Sequence, residues 1–499
     1  MIEVLSIENM RKSDAYTIEN DVSAIELMAR AALGIYKSVS WKGRIAVICG
    51  KGNNAGDGYA ISSLLKKDGA DVTLIILDEN LTLPSRFFFE ECEKLGVSRL
   101  AFNKDTELHS YEMIVDCIFG TGFRGSAEGN IRLAIEKINS SGAYVVSADI
   151  NSGLNGDSGM TSLAVNSDIT VSIGSYKSGH FLGMAKDYIK KLVNCDIGIK
   201  PILKPYQLIE ESDCKAVFPK RNNFSNKGTY GYATLIGGSL EYSGAVKLAN
   251  LALCSLKTGA GVVKLASAAS LFNAISPYLL ESTFYPLSDK DGSIIFKKEE
   301  IDGALKGVKA LAIGMGIGAK SESYEIIKHV LENYSLPTVI DADGLNALSQ
   351  GDMNILKSTK CSVILTPHPA EFERLSKIPK ERVFEDPIKY AKEFAKEYGV
   401  ILLLKGSTTV ITDGEDVFLS NTGCSGMATA GSGDVLSGII LGICSQNPDK
   451  EKMLLNTAVG AYINGKAGEY AQKEQGCVGM VSSDTVKQIP AVIKEILKS

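Results

Sequence analysis

The sequence predicts an α/β protein of two domains, each built on a parallel β-sheet covered by helices. Apolar strand-like runs alternate with stretches of helical apolar spacing through both halves of the chain, which is typical of consecutive βα units. The length of 499 residues exceeds that of one ordinary hydrophobic core and suits two domains of about 200 to 280 residues.

Buried strands are predicted where an apolar run ends near a glycine or a polar residue. In the first half these runs are RIAVICG, DVTLIIL, YEMIVDCIFG, AYVVSADI and SDITVSIG. In the second half they are TYGYATLIGGS, GVVKLAS, KALAIGMG, PTVIDADG, CSVILTP and VILLLKG. An irregular polar segment with Pro205 and Pro219 separates the two sets, so we predict domains at 1–210 and 211–499. The last helices, near 450–473 and 482–498, belong to the second domain.

Composition excludes several classes of protein. The chain is 45% hydrophobic and 22% charged, and its net charge of -5 with no basic block argues against nucleic acid as a partner. Its apolar stretches are interrupted within about 18 residues, so we expect no membrane span. The opening MIEVLSIENMRKSDAY lacks the features of a signal peptide, and we expect a cytoplasmic protein.

The cysteines and histidines predict neither disulfides nor a transition-metal site. None of the ten cysteines forms a CxxC pair, and most lie among apolar residues as reduced core thiols would, for example Cys49, Cys117, Cys254 and Cys444. The four histidines are scattered along the chain, at His109, His180, His329 and His368.

The segment Asn421 to Ile440, NTGCSGMATAGSGDVLSGII, predicts a phosphate site. Its glycines allow the backbone to approach a ligand, and a helix beginning near Asp434 would direct unpaired N–H groups at phosphate oxygens. The Asp434 carboxylate would then be a general base beside an anion hole. The alternative is a loop that is rich in glycine for packing reasons.

The preceding sequence favours the phosphate site. Val400 to Asn421 predicts a buried strand followed by a hairpin with Asp413-Gly414 at its turn, which would bring Lys405 close to the glycine loop. A second segment, GAYINGK from Gly460 to Lys466, has the spacing of a P-loop but lacks the following hydroxyl residue. We interpret it as part of a helix.

Two loops predict a ligand site in the first domain. RIAVICG leads into KGNNAGDG, and GTGFRG follows YEMIVDCIF, with Asp149 at the end of the next predicted strand. Ligands of parallel α/β sheets bind at the carboxyl ends of strands. The GxGxxG pattern alone weakly indicates a dinucleotide fold, and its place after a later strand argues against an ordinary dehydrogenase.

A cation site is a further hypothesis. Asn54, Asp116 and Ser152 end three different predicted strands, and their oxygen atoms would suit a hard cation. The alternative is helix capping and turn formation, which the residues alone favour.

These motifs resemble the bifunctional NAD(P)H-hydrate repair enzymes, in which an epimerase domain is fused to a dehydratase domain. In the first domain the resemblance rests on ELMARAA, GNNAGDG, DCIFGTGFRG, DINSGLNGDSG and SYKSGH. In the second it rests on GGSLEYSGA, KTGAGVV, IGMGIG, IDADGLNAL, TPHPAEFERL, KGSTT and the glycine segment.

For the first domain, a Rossmann-like three-layer α/β domain, the resemblance implies an epimerase of hydrated NADH and NADPH (NADHX and NADPHX). Asp149 would be the catalytic residue, with Lys177 less firmly assigned. The resemblance makes Asn54, Asp116 and Ser152 potassium ligands. It also implies substrate contacts from Asn53, Asn54, Ala55, Gly56, Asp57, Gly120, Thr121, Gly122, Phe123, Arg124, Gly125, Ser126 and Asp149.

For the second domain the resemblance implies a ribokinase-like fold that phosphorylates the ring hydroxyl and eliminates phosphate, with ADP as donor and Mg²⁺ at the phosphates. Asp434 would be the catalytic base. Substrate would contact Gly316, Gly318, His368, Pro369, Ala370, Glu371, Phe372, Glu373, Arg374 and Asp434. The nucleotide would contact Lys405, Gly406, Ser407, Thr408, Thr409, Cys424, Ser425, Gly426, Met427, Ala428, Thr429, Ala430, Gly431, Ser432 and Gly433.

Two residues depart from the family pattern. Ala55 and Ala370 stand where glycine is usual, and each adds one methyl group that a backbone with positive φ would not tolerate. We expect the partners to be these small molecules and further copies of the chain. The alternatives are a sugar or vitamin kinase with a sensor domain, and a non-catalytic dinucleotide-binding scaffold.

Overall fold

The computed structural model describes residues 1–240, 257–318 and 321–498. It divides into two compact units, Glu3–Tyr206 and Gln207–Ser499, and the second also includes Met1–Ile2. The division lies near the boundary predicted from sequence. Cys254 and part of the GGSLEYSGA motif lie outside the described residues.

The N-terminal unit contains short strands separated by helices. Its strands are β1 (Ile2–Leu5), β2 (Arg44–Cys49), β3 (Asp71–Ile76), β4 (Ser98–Ala101), β5 (Met113–Cys117), β6 (Tyr144–Ala148), β7 (Ile169–Ile173), β8 (Tyr176–Lys177) and β9 (Leu192–Cys195). Its helices are Ile7–Asn20, Ala24–Ser38, Gly52–Lys67, Leu83–Lys94, Gly129–Ser140 and Ala185–Tyr188.

Seven of these strands form a parallel sheet in the order β4-β3-β2-β5-β6-β7-β9. Apolar side chains fill both faces, with Ala24–Ser38 and Gly52–Lys67 contributing to one core and Gly129–Ser140 to the other. The three-layer prediction and its five strands are confirmed. The sheet-edge strands β4 and β9 escaped prediction because β4 is exposed throughout and β9 is only partly buried, so neither has a continuous apolar run.

The C-terminal unit contains more strands and a long buried helix. Its strands are β10 (Tyr206–Leu208), β11 (Tyr232–Ile236), β12 (Val262–Ala268), β13 (Thr283–Leu287), β14 (Asp289–Lys290), β15 (Ser293–Ile294), β16 (Ala310–Ile313), β17 (Pro337–Ile340), β18 (Ser362–Leu365), β19 (Ile401–Leu404), β20 (Thr409–Thr412) and β21 (Val417–Ser420). Its helices are Glu211–Cys214, Phe272–Ile275, Lys298–Leu305, Ser321–Asn333, Asp343–Gln350, Ile355–Ser358, Pro369–Ser376, Lys380–Glu385, Pro387–Tyr398, Ser432–Gln446, Met453–Gln475 and Ser482–Lys498.

The strand order of the C-terminal sheet is β13-β12-β11-β16-β17-β18-β19-β20-β21-β10. Pairing is parallel from β13 to β19 and antiparallel through the hairpin β20–β21, as predicted. Helix Ser432–Gln446 contacts β16 and β17 as well as helix Met453–Gln475, and it is buried from Val435 to Ser445. GAYINGK lies inside helix Met453–Gln475, which confirms its structural interpretation.

Each sheet has a point where successive crossovers turn in opposite directions, between β2 and β5 and between β11 and β16. Ligands of open α/β sheets bind at the carboxyl ends of the strands near such points. In the part of the chain described here, no helix has the length and apolarity needed to cross a membrane.

Candidate active sites

A cavity of about 710 Å³ opens in the N-terminal unit at the carboxyl ends of β2, β5 and β6. This volume suits a small-molecule ligand. Its lining includes most of the predicted substrate residues: Asn53, Asn54, Asp57, Gly120, Thr121, Gly122, Phe123, Arg124 and Asp149. The predicted residues Ala55, Gly56, Gly125 and Ser126 are not in this lining. It also includes Lys51 and Gly52, which begin the predicted loop KGNNAGDG, and residues that sequence reasoning missed: Met10, Arg11, Asp14, Thr82 and Ile173.

The predicted loop Asn53–Asp57 is helical, because helix Gly52–Lys67 begins directly after β2. The residue before it, Lys51, provides no side-chain cap. The N–H of Gly52 donates to the Asn80 carbonyl at 3.3 Å, which leaves the N–H groups of Asn53 and Asn54 for a ligand at the cavity wall. The positive end of the helix dipole favours an anion at this position. Ala55 has a helical backbone without positive φ, so its methyl group causes no strain.

Asp149 follows β6 with φ of 65°, a left-handed conformation that is costly for a residue other than glycine. Its carboxylate contacts the Lys177 ammonium, which is 1% exposed and also donates to the carbonyl of Ile173 at 2.7 Å. The surrounding structure thus holds Asp149 in a strained backbone conformation, with its carboxylate against a buried cation at the cavity wall.

His180 supports this arrangement from behind. The backbone N–H of Lys177 donates to His180 Nδ1 at 3.0 Å, so His180 Nε2 carries the proton and donates to the Asp149 carbonyl at 2.8 Å. Burial, followed by the nearby Lys177 charge, lowers the pKa of His180 to about 4. The ring is therefore neutral at pH 7 and acts as a positioning group.

Two further carboxyl groups line the cavity. Burial raises the pKa of Asp57 well above its ordinary value, and the Asp149 and Asp14 charges raise it further. Burial also raises the pKa of Asp14 to about 6. Asp14 follows a basic, polar stretch in helix Ile7–Asn20, so it has the appearance of a surface residue. The only signal in the sequence is its position beside the buried residues Met10, Ser13 and Thr17.

The predicted potassium ligands surround a buried polar region. Asp116 accepts hydrogen bonds from the hydroxyls of Ser147 and Ser152, at 3.0 and 2.5 Å, and from backbone N–H groups. The Asn54 amide is buried without a hydrogen-bond partner and lies against Gly120. Asn54 is in a helix, Asp116 is inside β5, and Ser152 lies in a turn beyond the end of β6, so the prediction that the three residues end strands was wrong.

In the C-terminal unit, Asp434 lies in the first turn of helix Ser432–Gln446 and is half-buried. The helix begins after Gly431, whose φ of 87° favours glycine and which offers no side-chain cap. The N–H of Ser432 donates to the Thr429 carbonyl at 3.4 Å, and the N–H groups of Gly433 and Asp434 follow it in the uncapped first turn. Burial, followed by the Asp341 charge, raises the pKa of Asp434 to about 7. A carboxyl group that titrates near neutrality beside exposed amides suits proton transfer during phosphoryl chemistry.

Lys405 lies close to this helix start. Its ammonium lies 3.1 Å from Asp341 Oδ1 and 3.8 Å from Glu371 Oε2. It also lies close to Gly433, where the Cβ of any other residue would come within 3.1 Å of the Lys405 nitrogen. Burial alone would lower the pKa of Lys405, but the carboxylates of Asp341 and Glu371 raise it. The prediction that Lys405 lies near the glycine loop is confirmed.

Asp341 was not identified from the sequence, although it occupies the centre of this charge network. It is 1% exposed, accepts a 2.6 Å hydrogen bond from Ser437 Oγ, and precedes Ala342, whose φ is 52°. The strained backbone and the buried partners fix the carboxylate beside Lys405.

The predicted hydrate segment His368–Arg374 begins helix Pro369–Ser376. His368 is its N-cap, with Nδ1 accepting from the backbone N–H groups of Ala370 and Glu371 at 3.2 and 3.4 Å. Burial, with the Lys405 and Arg374 charges, lowers the pKa of His368. Phe372 is fully buried against Phe394, so its side chain belongs to the core.

Gly316 and Gly318 follow β16 and both have positive φ, which glycine permits. The backbone N–H of Gly318 donates to Asp343 Oδ2 at 2.9 Å. This bond ties the loop after β16 to the start of helix Asp343–Gln350.

The predicted nucleotide loop Cys424–Gly433 is held by neighbouring helices. The backbone N–H of Gly426 donates to Gln472 Oε1 at 3.0 Å, and Ser482 Oγ donates to the Ala430 carbonyl at 2.5 Å. Ser432 Oγ bonds within the loop, to the Met427 carbonyl at 2.8 Å. The loop that precedes Asp434 is therefore fixed before any ligand binds.

Comparison with known proteins finds a matching family model within each of the two units. A family model described as NAD(P)H-hydrate dehydratase matches residues 233–491, and one described as YjeF-related protein N-terminus matches residues 24–179.

Full-length relatives and a solved structure match as well. The bifunctional NAD(P)H-hydrate repair enzyme Nnr of Moorella thermoacetica is 33% identical over 95% of this chain and 93% of its own, and that of Coxiella burnetii is 30% identical over 97% and 98%. The crystal structure of the ADP/ATP-dependent NAD(P)H-hydrate dehydratase from Bacillus subtilis, co-crystallized with ATP/Mg²⁺, is 30% identical with a TM-score of 0.51, covering 58% of this chain and 99% of that one. The chain therefore belongs to the family of bifunctional NAD(P)H-hydrate repair enzymes.

Proposed function

We propose that this chain repairs NADH and NADPH whose nicotinamide ring has taken up water. The N-terminal unit interconverts the R and S epimers, and the C-terminal unit converts the S epimer to NAD(P)H with ADP, yielding AMP and phosphate. The observation that carries the proposal is Asp434, whose pKa is raised to about 7 at an uncapped helix start near Lys405.

Epimerisation would take place in the cavity that Asp149 and Lys177 line. The hydroxylated carbon is bonded to the ring nitrogen, whose lone pair can expel the hydroxyl group to form an iminium ion. Water returning to the other face completes the inversion. A carboxylate that is neutralised by Lys177 and held in place by its backbone is suited to take the proton from that water.

A potassium ion fits the polar region formed by Asn54, Asp116 and Ser152. The Asp116 carboxylate is buried among neutral donors, and the Asn54 oxygen has no hydrogen-bond partner. A bound cation would balance that charge and fix the loop after β5 against helix Gly52–Lys67. Exchanging K⁺ for a bulky organic cation should lower the thermal unfolding temperature, and an unchanged temperature would count against the ion.

Dehydration would begin with phosphoryl transfer from the nucleotide. Asp434 accepts the proton of the ring hydroxyl as its oxygen attacks phosphorus, while Lys405 and the N–H groups of the helix start stabilise the charge on the phosphoryl oxygens. Phosphate then leaves with the C–O electron pair, and loss of a proton from the adjacent ring carbon restores the double bond. Phosphate is a far better leaving group than hydroxide.

Mg²⁺ also fits this site on electrostatic grounds. Asp341, Glu371 and Asp434 surround the ammonium of Lys405 and would repel a bare polyphosphate. Mg²⁺ bound to the phosphates of the nucleotide would offset that repulsion.

Absorbance of the reduced nicotinamide tests the whole proposal. Purified full-length protein is mixed with each NADHX epimer and with ADP or ATP, and recovery of absorbance is followed. With the S epimer, absorbance should recover as soon as nucleotide is present. With the R epimer, absorbance should recover only as fast as the N-terminal unit converts that epimer to the S form. Phosphorylated product without recovery would instead indicate a kinase, and no turnover would indicate a scaffold.

A further inference from the structure

Asp14 lines the same cavity as Asp149, yet its position has no evident structural reason. It lies on helix Ile7–Asn20 beside the buried residues Ser13 and Thr17, and it is itself half-buried. Within the described ranges, no hydrogen bond or ion pair engages its carboxyl group. An unpaired carboxyl group at a cavity wall costs stability that a purely structural residue would not require.

Charged groups from several elements face this cavity. The titratable and charged residues in its lining besides Asp14 are Arg11, Lys51, Asp57, Arg124, Asp149 and Lys177. Burial raises the pKa of Asp14 to about 6, with Lys177 lowering it and Asp149 raising it. Asp14 therefore carries its proton in about half of the molecules at pH 6 and in about a tenth of them at pH 7.

Asp149 has the opposite environment. Its carboxylate contacts the buried Lys177 ammonium and accepts a 3.2 Å hydrogen bond from the backbone N–H of Ile173. Asp149 is thus paired with a cation and a backbone donor, whereas Asp14 has neither among the described residues. Two carboxyl groups in different surroundings within one cavity are the usual arrangement for paired acid and base catalysis.

We propose that Asp14 is the second proton-transfer group of the epimerase site, acting as the acid when Asp149 acts as the base. This inference rests on the proposed epimerase function. The hydroxyl leaves from one face of the ring and water returns to the other, so the reaction needs a proton donor on one face and a proton acceptor on the other. Asp149 alone provides one of these groups, and Asp14 provides the second.

The proton and electron transfers balance. Asp14 donates its proton to the ring hydroxyl, and the C–O bond breaks with its electron pair leaving in water, while the nitrogen lone pair forms the iminium bond. Water then bonds to the carbon from the opposite face, the iminium electrons return to nitrogen, and Asp149 takes a proton from that water. The proton now lies on Asp149, which is the starting state for the reverse direction.

The pH dependence provides the test. Because both directions need one proton on the carboxyl pair, kcat/KM should fall on either side of an optimum, with the alkaline fall set by Asp14. Epimer interconversion is measured by chromatography without nucleotide, in full-length wild-type protein and in the variants Asp14→Asn, Asp14→Glu, Asp57→Asn and Glu19→Gln. Glu19 is exposed on the same helix and is the matched control.

Asp14→Asn should lower kcat by about 100-fold and remove the alkaline fall, whereas Asp14→Glu should keep that fall and Glu19→Gln should behave as wild type. An unchanged kcat and pH profile in Asp14→Asn, or an effect on KM alone, would overturn the proposal. Loss of the alkaline fall in Asp57→Asn but not in Asp14→Asn would overturn it as well. Absence of any interconversion by the wild-type protein would instead refute the epimerase function itself.

Discussion

The carboxylates at the two candidate sites, Asp149 and Asp434, have contrasting surroundings. Asp149 contacts a buried ammonium directly, whereas the ammonium near Asp434 is bound instead to Asp341, at 3.1 Å. Burial and neighbouring carboxylates raise the pKa of Asp434 to about 7. One site thus pairs its carboxylate with a cation, and the other keeps a carboxyl group close to its protonation midpoint at neutral pH.

This difference matches the two proposed reactions. A hydroxyl group about to attack phosphorus must lose its proton to a base of sufficient strength, and a base with a pKa near the working pH transfers protons most effectively. In the epimerase cavity, ring nitrogen electrons drive departure of the hydroxyl, so the base has to be held in a fixed position beside the returning water. The cations at the two sites differ in the same way. Lys177 contacts the proposed base Asp149 directly, whereas Lys405 lies where the phosphate of the nucleotide is predicted to bind.

Removing Asp434 should have the largest effect and should separate the two sites. Asp434→Asn cannot accept the hydroxyl proton, so we expect dehydration to slow by about 10²- to 10⁴-fold while epimerisation persists. Absorbance recovery and epimer chromatography on the same preparation measure the two activities. Glu474→Gln, an exposed change in the same unit, is the control, and equal loss of both activities in Asp434→Asn would contradict independent sites.

Removing Lys177 tests whether the ion pair at Asp149 is needed for the fold. Lys177→Met leaves the Asp149 carboxylate without its buried partner, and we expect the free energy of unfolding to fall by about 3 to 5 kcal/mol. Urea unfolding measures this change. Lys190→Gln breaks the exposed pair with Asp168 and should alter stability little. Similar losses in both variants would show that the buried ion pair contributes no more to stability than the exposed one.

The pH profile of dehydration sharpens the comparison. Because Asp434 must be deprotonated to act as a base, kcat/KM should rise with pH up to about 7 and then level off. Asp341→Asn removes a negative charge that raises the pKa of Asp434, so the rising limb should move to lower pH. A limb that stays in place or moves to higher pH would show that Asp341 does not set this pKa.

The two alanines that replace family glycines should give the smallest effects. Ala55 is fully buried in helix Gly52–Lys67, whereas Ala370 lies in the first turn of Pro369–Ser376 and is partly exposed. Changing either to glycine should destabilise its unit by about 1 kcal/mol, with the larger loss for Ala55 because a methyl-sized void also forms. Chemical unfolding measures both, and greater stability in either variant would show that the native methyl group is strained.

Much of the fold could be predicted because local patterns specify it. Buried strands such as β16 and β19 are continuous apolar runs, and the start of helix Ser432–Gln446 follows from glycines before an apolar stretch. The edge strands β4 and β9 escaped because an exposed or half-buried strand lacks that run. Many of the candidate site residues were predicted from the family resemblance rather than from the physical chemistry of the sequence. For Asn54, Asp116 and Ser152, the sequence alone did not distinguish a cation site from helix caps and turns.

The sequence by itself determined the alternation of strands and helices, the place of the boundary and the position of Asp434 near the start of helix Ser432–Gln446, because each depends on neighbours along the chain. Only the tertiary structure decided that Asp14 shares a cavity with Asp149, that Lys177 is the partner of that carboxylate, and that Asp341 lies between Lys405 and Ser437. These contacts join residues far apart in sequence. Protonation depends on burial and on charges brought close by folding, which no local pattern records.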